Sequence, residues 1–192
     1  GSYYLANFQA IRSDVQYRPE LRTPKPVIAG TLPAIIDGSG LGDQPEINQY
    51  GQYKVVFMYD SSSKGASKAS SWLRMASAYV GSAHGMHFPL LKGAEVAIAF
   101  NGGDPDQPMI LAAVPNSENQ SVVVADNNQL NGMRSVSGNQ FIMSDTPGKS
   151  GILLNSPSAD SFLYMGQAGK QETDDPHASE NESLLGLLRG LG

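Results

Sequence analysis

Short runs of alternating hydrophobic and polar residues dominate the chain between residues 27 and 116. In Tyr53–Tyr59 every odd-numbered residue is aromatic or aliphatic, and such period-two alternation is typical of β-strands. Glycine, proline and asparagine clusters separate the runs and indicate turns. Five such runs with uneven loops predict a small closed Greek-key barrel of the OB type. The predicted strands are 27–36, 53–59, 71–79, 94–100 and 108–114.

Beyond Pro115 the apolar runs become shorter, at 133–136, 140–143, 151–154 and 162–165. Pieces of this length are marginal as isolated hairpins in water. Strands from other copies of the chain would supply the missing partners and leave few free edges. We therefore predict an all-β chain in which the OB barrel is followed by an intertwined trimeric β-helix or β-prism. The residues expected along the trimer axis are Phe141, Met143, Ile152, Leu154, Phe162 and Tyr164.

Changes in composition divide the chain into five predicted segments. Residues 1–26, whose second half is rich in proline, form an extended connector; the OB barrel spans 27–116, a linker 117–131 and the trimeric segment 132–170. Residues 171–192 form an acidic tail that ends in a short leucine-rich helix. A two-turn helix is unstable alone, so its leucines are candidates for docking a partner. They are Leu184, Leu185, Leu187 and Leu188.

The bulk composition argues against several functions. A formal net charge of -5 with 13 scattered Lys and Arg residues disfavours nucleic-acid binding. The absence of cysteine excludes disulfides and thiolate metal sites, and no cofactor is expected. No apolar run approaches the ~20 residues of a membrane helix, and the N-terminal sequence does not resemble a signal peptide.

The ordered motifs resemble those of VgrG, the valine-glycine repeat spike family of the bacterial type VI secretion system, which is similar to hub and needle proteins of contractile phage tails. Residues 50–57 resemble the family's Y-G-R-V-K-V-x-F strand, and 103–110 its G-D-P-D-x-P-x-I turn. Gln52 and Tyr59 depart from the family's usual Arg and Trp. The other matching pieces are 17–19, 23–26, 71–75, 93–96, 137–139 and 145–148.

The resemblance implies a non-catalytic homotrimeric spike that contractile injection drives through a target membrane by mechanical puncture. Its implied partners are a tube protein, a tip protein and effectors at the distal end. It also implies a protein made in the cytoplasm and injected through the apparatus, here as a fragment or compact member. The alternatives are a phage-type tail needle or baseplate hub component, a monomeric OB-fold binding adaptor, and a cell-wall hydrolase.

Candidate chemical sites have simpler interpretations. Asp104 and Asp106 resemble a carboxylate pair, yet Gly-Asp-Pro-Asp is typical of a tight turn. His84 and His87 have the spacing of metal ligands but lack cysteine or carboxylate partners nearby. The G-x-S-x-G signature of a serine nucleophile is absent. We therefore expect no catalytic or metal site.

Overall fold

The computed structural model describes residues 1–40, 44, 46–62, 67–159 and 161–166. The chain divides into two compact units, Gly1–Val114 and Pro115–Gly192. Within the described residues the regular structure is β-sheet together with three short 3-10 turns. The predicted all-β fold class is thus confirmed.

The first unit contains seven strands within the described residues. They are β1 (Thr31–Asp37), β2 (Lys54–Phe57), β3 (Arg74–Met75), β4 (Val80–Gly81), β5 (His84–Gly85), β6 (Glu95–Phe100) and β7 (Pro108–Ala113). Five of them form one sheet in the order β2-β1-β6-β7-β3. The other two, β4 and β5, make a separate hairpin.

A single bridge turns this sheet into a ring. The Tyr53 N–H donates to the Leu73 carbonyl at 2.9 Å, and the Leu73 N–H donates back at 2.7 Å. These two bonds connect the starts of β2 and β3, while β3 runs parallel to β7 at the other end of the sheet. The resulting order, β1-β2-β3-β7-β6 and back to β1, is a small Greek-key barrel. The predicted OB-type architecture is confirmed.

The core of the barrel lies inside this ring. Tyr53, which directly precedes β2, and Val55 within β2 both point inward and are fully buried. The alternation in the sequence predicted that they share a face. The Tyr53 hydroxyl accepts a hydrogen bond from the Leu90 N–H at 3.2 Å, so the one polar atom of the ring has a partner. The other buried core residues are Ala34, Ile36, Leu73, Leu90, Val96, Ile98 and Ile110.

Three predicted strands are at least three residues shorter than expected at their ends. The second, predicted at 53–59, comprises only Lys54–Phe57. The first begins at Thr31, because residues before Gly30 lie against the β6–β7 turn, where the Ile28 N–H donates to the Gly103 carbonyl at 2.9 Å. The third strand comprises only Arg74–Met75. The chain then leaves the sheet and forms the β4–β5 hairpin, which the sequence analysis did not predict.

The second unit contains four strands joined in succession, in the order β11-β10-β9-β8. They are β8 (Leu130–Arg134), β9 (Gln140–Ser144), β10 (Gly151–Ser156) and β11 (Ser161–Gly166), all antiparallel. β8 begins inside the segment predicted as a linker. All four strands pair within one chain, so association with other copies would use the sheet's faces or edges. Intertwining stays a prediction.

Candidate assembly surface

The register of the four-stranded sheet decides which side chains share a face. Leu154 lies opposite Phe141 on β9 and opposite Leu163 on β11. Ile152 lies opposite Met143 and Met165. Directly opposed residues point to the same side of a sheet, and so do residues two apart along a strand. One side therefore carries seven large apolar residues, here called the apolar face: Met133, Phe141, Met143, Ile152, Leu154, Leu163 and Met165.

The two sides of this sheet differ in burial along β9 and β10, whereas Phe162 and Leu163 on β11 are similarly exposed. On the opposite side Ile142 and Leu153 are nearly fully buried. A cavity of about 30 Å³ lies between that side and Val122–Val123, which shows that the preceding segment lies against it. On the apolar face, by contrast, Leu154 and Leu163 are 43% and 53% exposed. A contiguous apolar surface of this kind marks an interaction site.

The structure brings together four of the six residues predicted for the trimer axis. Phe141, Met143, Ile152 and Leu154 all lie on the apolar face. Phe162 and Tyr164 lie on the other side of the sheet. The assignment of the six residues to a trimer axis stays a prediction. Tyr164 lies over Gly151, where a Cβ atom would come within 2.6 Å of its hydroxyl. Its ring thus covers a glycine that has no side chain of its own.

Sequence reasoning missed Met133, Leu163 and Met165. In β11 both alternating sets are hydrophobic, Phe162 with Tyr164 and Leu163 with Met165, so alternation alone does not select one. The pairing of Ser156 with Ser161 across the turn selects the second set. The leucines Leu184, Leu185, Leu187 and Leu188 lie outside the described residues, and their docking role stays a prediction.

Asp104 and Asp106 hold a turn and the connector together. Asp104 and Asp106 belong to a turn in which the Asp106 N–H donates to Asp104 Oδ1 at 2.9 Å. Both carboxylates contact Lys25 Nζ, at 2.5 and 2.8 Å, which ties the connector to the β6–β7 turn. The ammonium lowers the pKa of Asp104, and the hydrogen bonds to both carboxylates raise the pKa of Lys25. The pair therefore acts as an anchor.

A second polar cluster joins the loops that follow β1 and precede β3. Glu46 Oε2 accepts hydrogen bonds from the Ser67 hydroxyl at 2.6 Å and from the Ser39 N–H and hydroxyl at 2.6 and 2.9 Å. These bonds stabilise the carboxylate and lower the pKa of Glu46 to about 2. The carboxylate of Asp37 accepts the N–H of Ser67 at 2.7 Å. These hydrogen bonds hold the two loops together.

His84 and His87 lie in or next to the β4–β5 hairpin. His84 Nδ1 lies 2.8 Å from the Ser82 carbonyl, and its ring lies against Gly81. Within the described ranges, no three His, Cys, Asp or Glu side chains are grouped so that they could hold a metal ion. Nor does this part of the chain contain a helix long and apolar enough to cross a membrane.

Comparison with known proteins agrees with this architecture. Residues 50–114 match the family described as the type VI secretion system/phage-baseplate injector OB domain. The chain is 36% identical over 111 residues to the type VI secretion system spike protein VgrG4b of Pseudomonas aeruginosa, covering 58% of this chain and 14% of that protein. The chain is VgrG-like.

Two further relatives extend the likeness. VgrG5 of Pseudomonas aeruginosa, another type VI secretion system spike protein, is 34% identical over 117 residues, which cover 61% of this chain and 15% of the relative. The actin cross-linking toxin VgrG1 of Vibrio cholerae is 28% identical over 163 residues, covering 79% of this chain and 14% of the toxin. The VgrG-like chain thus matches about one seventh of the length of these relatives.

Proposed function

We propose that the VgrG-like chain is a structural, non-catalytic part of a homotrimeric spike in a contractile injection apparatus of the type VI secretion kind. The apolar face is the observation that carries this proposal. On a free surface its seven large apolar side chains would stay in contact with water, which is unfavourable. When copies of the sheet meet, the same side chains form an interior without water. Each half-exposed side chain would contribute about 1 kcal/mol on burial.

The dimensions of the sheet suit three copies. Strands of five or six residues, at about 3.4 Å per residue, make the sheet about 17–20 Å wide. A triangular tube with sides of about 17 Å holds each sheet about 5 Å from its axis, which is half the ~10 Å spacing of packed sheets. Three copies around one axis would therefore fill the interior with side chains and leave no channel.

In this proposal the barrel is a rigid support and the sheet is a stiff shaft. Axial load is resisted by backbone hydrogen bonds and by the shared apolar interior. The spike sits on a tube protein, carries effectors or a tip protein at its distal end, and crosses a target membrane by mechanical puncture. The protein is made in the cytoplasm and exported through the apparatus. The net charge of -5 agrees with a function that does not use nucleic acid.

The solution mass tests this proposal. Light scattering after size exclusion should give about three times the chain mass of 20.4 kDa. A single-chain mass with intact β-sheet circular dichroism would contradict it and favour the monomeric OB adaptor. A two-chain mass would instead indicate two sheets packed face to face. Limited proteolysis adds a second readout, since an assembled shaft protects residues 130–166 from cleavage.

The family description favours one alternative host, a phage-like baseplate, because it names both kinds of injector. The same trimer would serve there as a hub or needle component.

Deletion of residues 179–192 tests the cargo function, since the proposed leucine docking segment lies there. Unchanged effector loading and unchanged trimer stability after this deletion would remove Leu184–Leu188 from the proposal.

A further inference from the structure

Three of the seven methionines in the chain lie on the apolar face. Met133, Met143 and Met165 are 43%, 39% and 51% exposed in a single copy. Met143 and Met165 flank Ile152 directly on the two neighbouring strands. Methionine is the one readily oxidised residue type here, because the chain contains no cysteine. The apolar face is therefore also the part of the second unit most open to mild oxidants.

We propose that Met133, Met143 and Met165 form a modification site at which a peroxide controls assembly. A peroxide can oxidise these thioethers in the separate chain but does not reach them once copies have associated. A chain whose apolar face has been oxidised no longer associates. This inference rests on the proposed trimer. In each event the sulfur lone pair attacks one peroxide oxygen, an S–O bond forms, and the O–O bond breaks. Sulfur loses two electrons, and the peroxide is reduced to water.

The polarity of the product explains the effect on assembly. A sulfoxide is a polar hydrogen-bond acceptor, whereas the thioether is a flexible apolar group. The two paired rows that contain the three methionines offer such an acceptor few donors. Asn131 is the one polar side chain in these rows, and its amide nitrogen donates to Asp145 at 2.7 Å. Ser156 and Ser161 lie in the next row of the same face. Sulfoxides enclosed between copies would therefore lack hydrogen-bond partners, which opposes association.

Met58 and Met86 provide internal references for a peroxide experiment. They lie in the barrel unit and are 53% and 49% exposed, so their accessibility in one copy resembles that of the three face methionines. The assembled protein is treated with hydrogen peroxide, and sulfoxides are counted by peptide mass spectrometry. The oxidation rate of each methionine is divided by the rate of the same methionine measured in urea. We expect the three face methionines to react at least fivefold more slowly than Met58.

A second sample is oxidised in urea, refolded and analysed by light scattering over a dilution series. We expect its dissociation concentration to rise at least tenfold. The control is the triple variant Met133→Leu, Met143→Leu, Met165→Leu, since Leu and Met have similar volumes. It should assemble like the parent chain and should remain assembled after the same oxidation, although its four other methionines, Met58, Met75, Met86 and Met109, are still oxidised.

Three results would overturn the inference. They are equal reaction rates for the face methionines and Met58 in the assembled protein, unchanged association of the oxidised parent chain, and dissociation of the oxidised triple variant. An untreated chain that has the mass of one copy would instead refute the proposed trimer itself. That result is visible before any peroxide is added, so the two failures are distinguishable.

Discussion

Leu163 lies directly opposite Leu154 on the neighbouring strand, and the two side chains share the apolar face. Phe162, one residue earlier, lies opposite Asn155 and points to the other side. Leu163 and Phe162 are almost equally exposed, at 53% and 54%. Both are large hydrophobic residues, so substitutions at the two positions form a matched pair that separates effects on stability from effects on assembly.

We expect Leu163→Asp to abolish trimer formation, because it would place three carboxylates inside the apolar centre without partners. Phe162→Asp should leave the oligomeric mass unchanged, since that side chain points away from the proposed interface. Sedimentation of both variants at equal concentration checks this. Dissociation by Phe162→Asp alone would show that copies meet through the opposite side of the sheet.

The closure of the barrel depends on Tyr53, which is fully buried and whose hydroxyl accepts the Leu90 N–H. Tyr53→Phe should lower the free energy of unfolding by about 1–2 kcal/mol, because it leaves that buried donor without a partner. Urea unfolding followed by tryptophan fluorescence measures the change, since Trp72 lies in the same unit.

Tyr50→Phe is the control for this measurement. Its side chain is largely exposed, and the substitution should change the free energy of unfolding by less than about 0.5 kcal/mol. Equal effects of the two variants would mean that the Tyr53 hydrogen bond does not stabilise the barrel.

The loop cluster around Glu46 predicts a pH dependence. Its pKa is about 2 in the folded chain and near 4.5 when unfolded. Because the folded value is the lower one, the stabilisation is fully present above pH 4.5 and is lost as the pH falls towards 2. Glu46→Gln should remove this contribution, about 1 kcal/mol for a partly exposed carboxylate, at neutral pH.

Urea unfolding at several pH values checks the Glu46 prediction. The difference in stability between the parent chain and Glu46→Gln should shrink as the pH falls from 4.5 to 2. A difference that stays constant over this range would show that the charge of Glu46 is not what holds Ser39 and Ser67.

Much of the barrel is visible in the sequence, because β1 and β6 alternate between inside and outside over six or more residues. Tyr53 and Val55 were predicted on one face and are buried together. The Gly-Asp-Pro-Asp turn was likewise predicted from residues whose backbone preferences are strong. The β4–β5 hairpin was missed, since two-residue strands such as Val80–Gly81 are too short to show a period.

By itself, the sequence determined the all-β character, the OB barrel and the positions of the four later strands, because alternation and turn residues act locally. Only the tertiary structure decided that Leu163 and Met165 join Phe141 and Leu154 on one face, while Phe162 and Tyr164 lie on the other. In β11 both alternating sets are hydrophobic, and a shift of one residue in pairing exchanges the two faces. The length of the turn between β10 and β11 sets that pairing, and no local pattern within the strand records it.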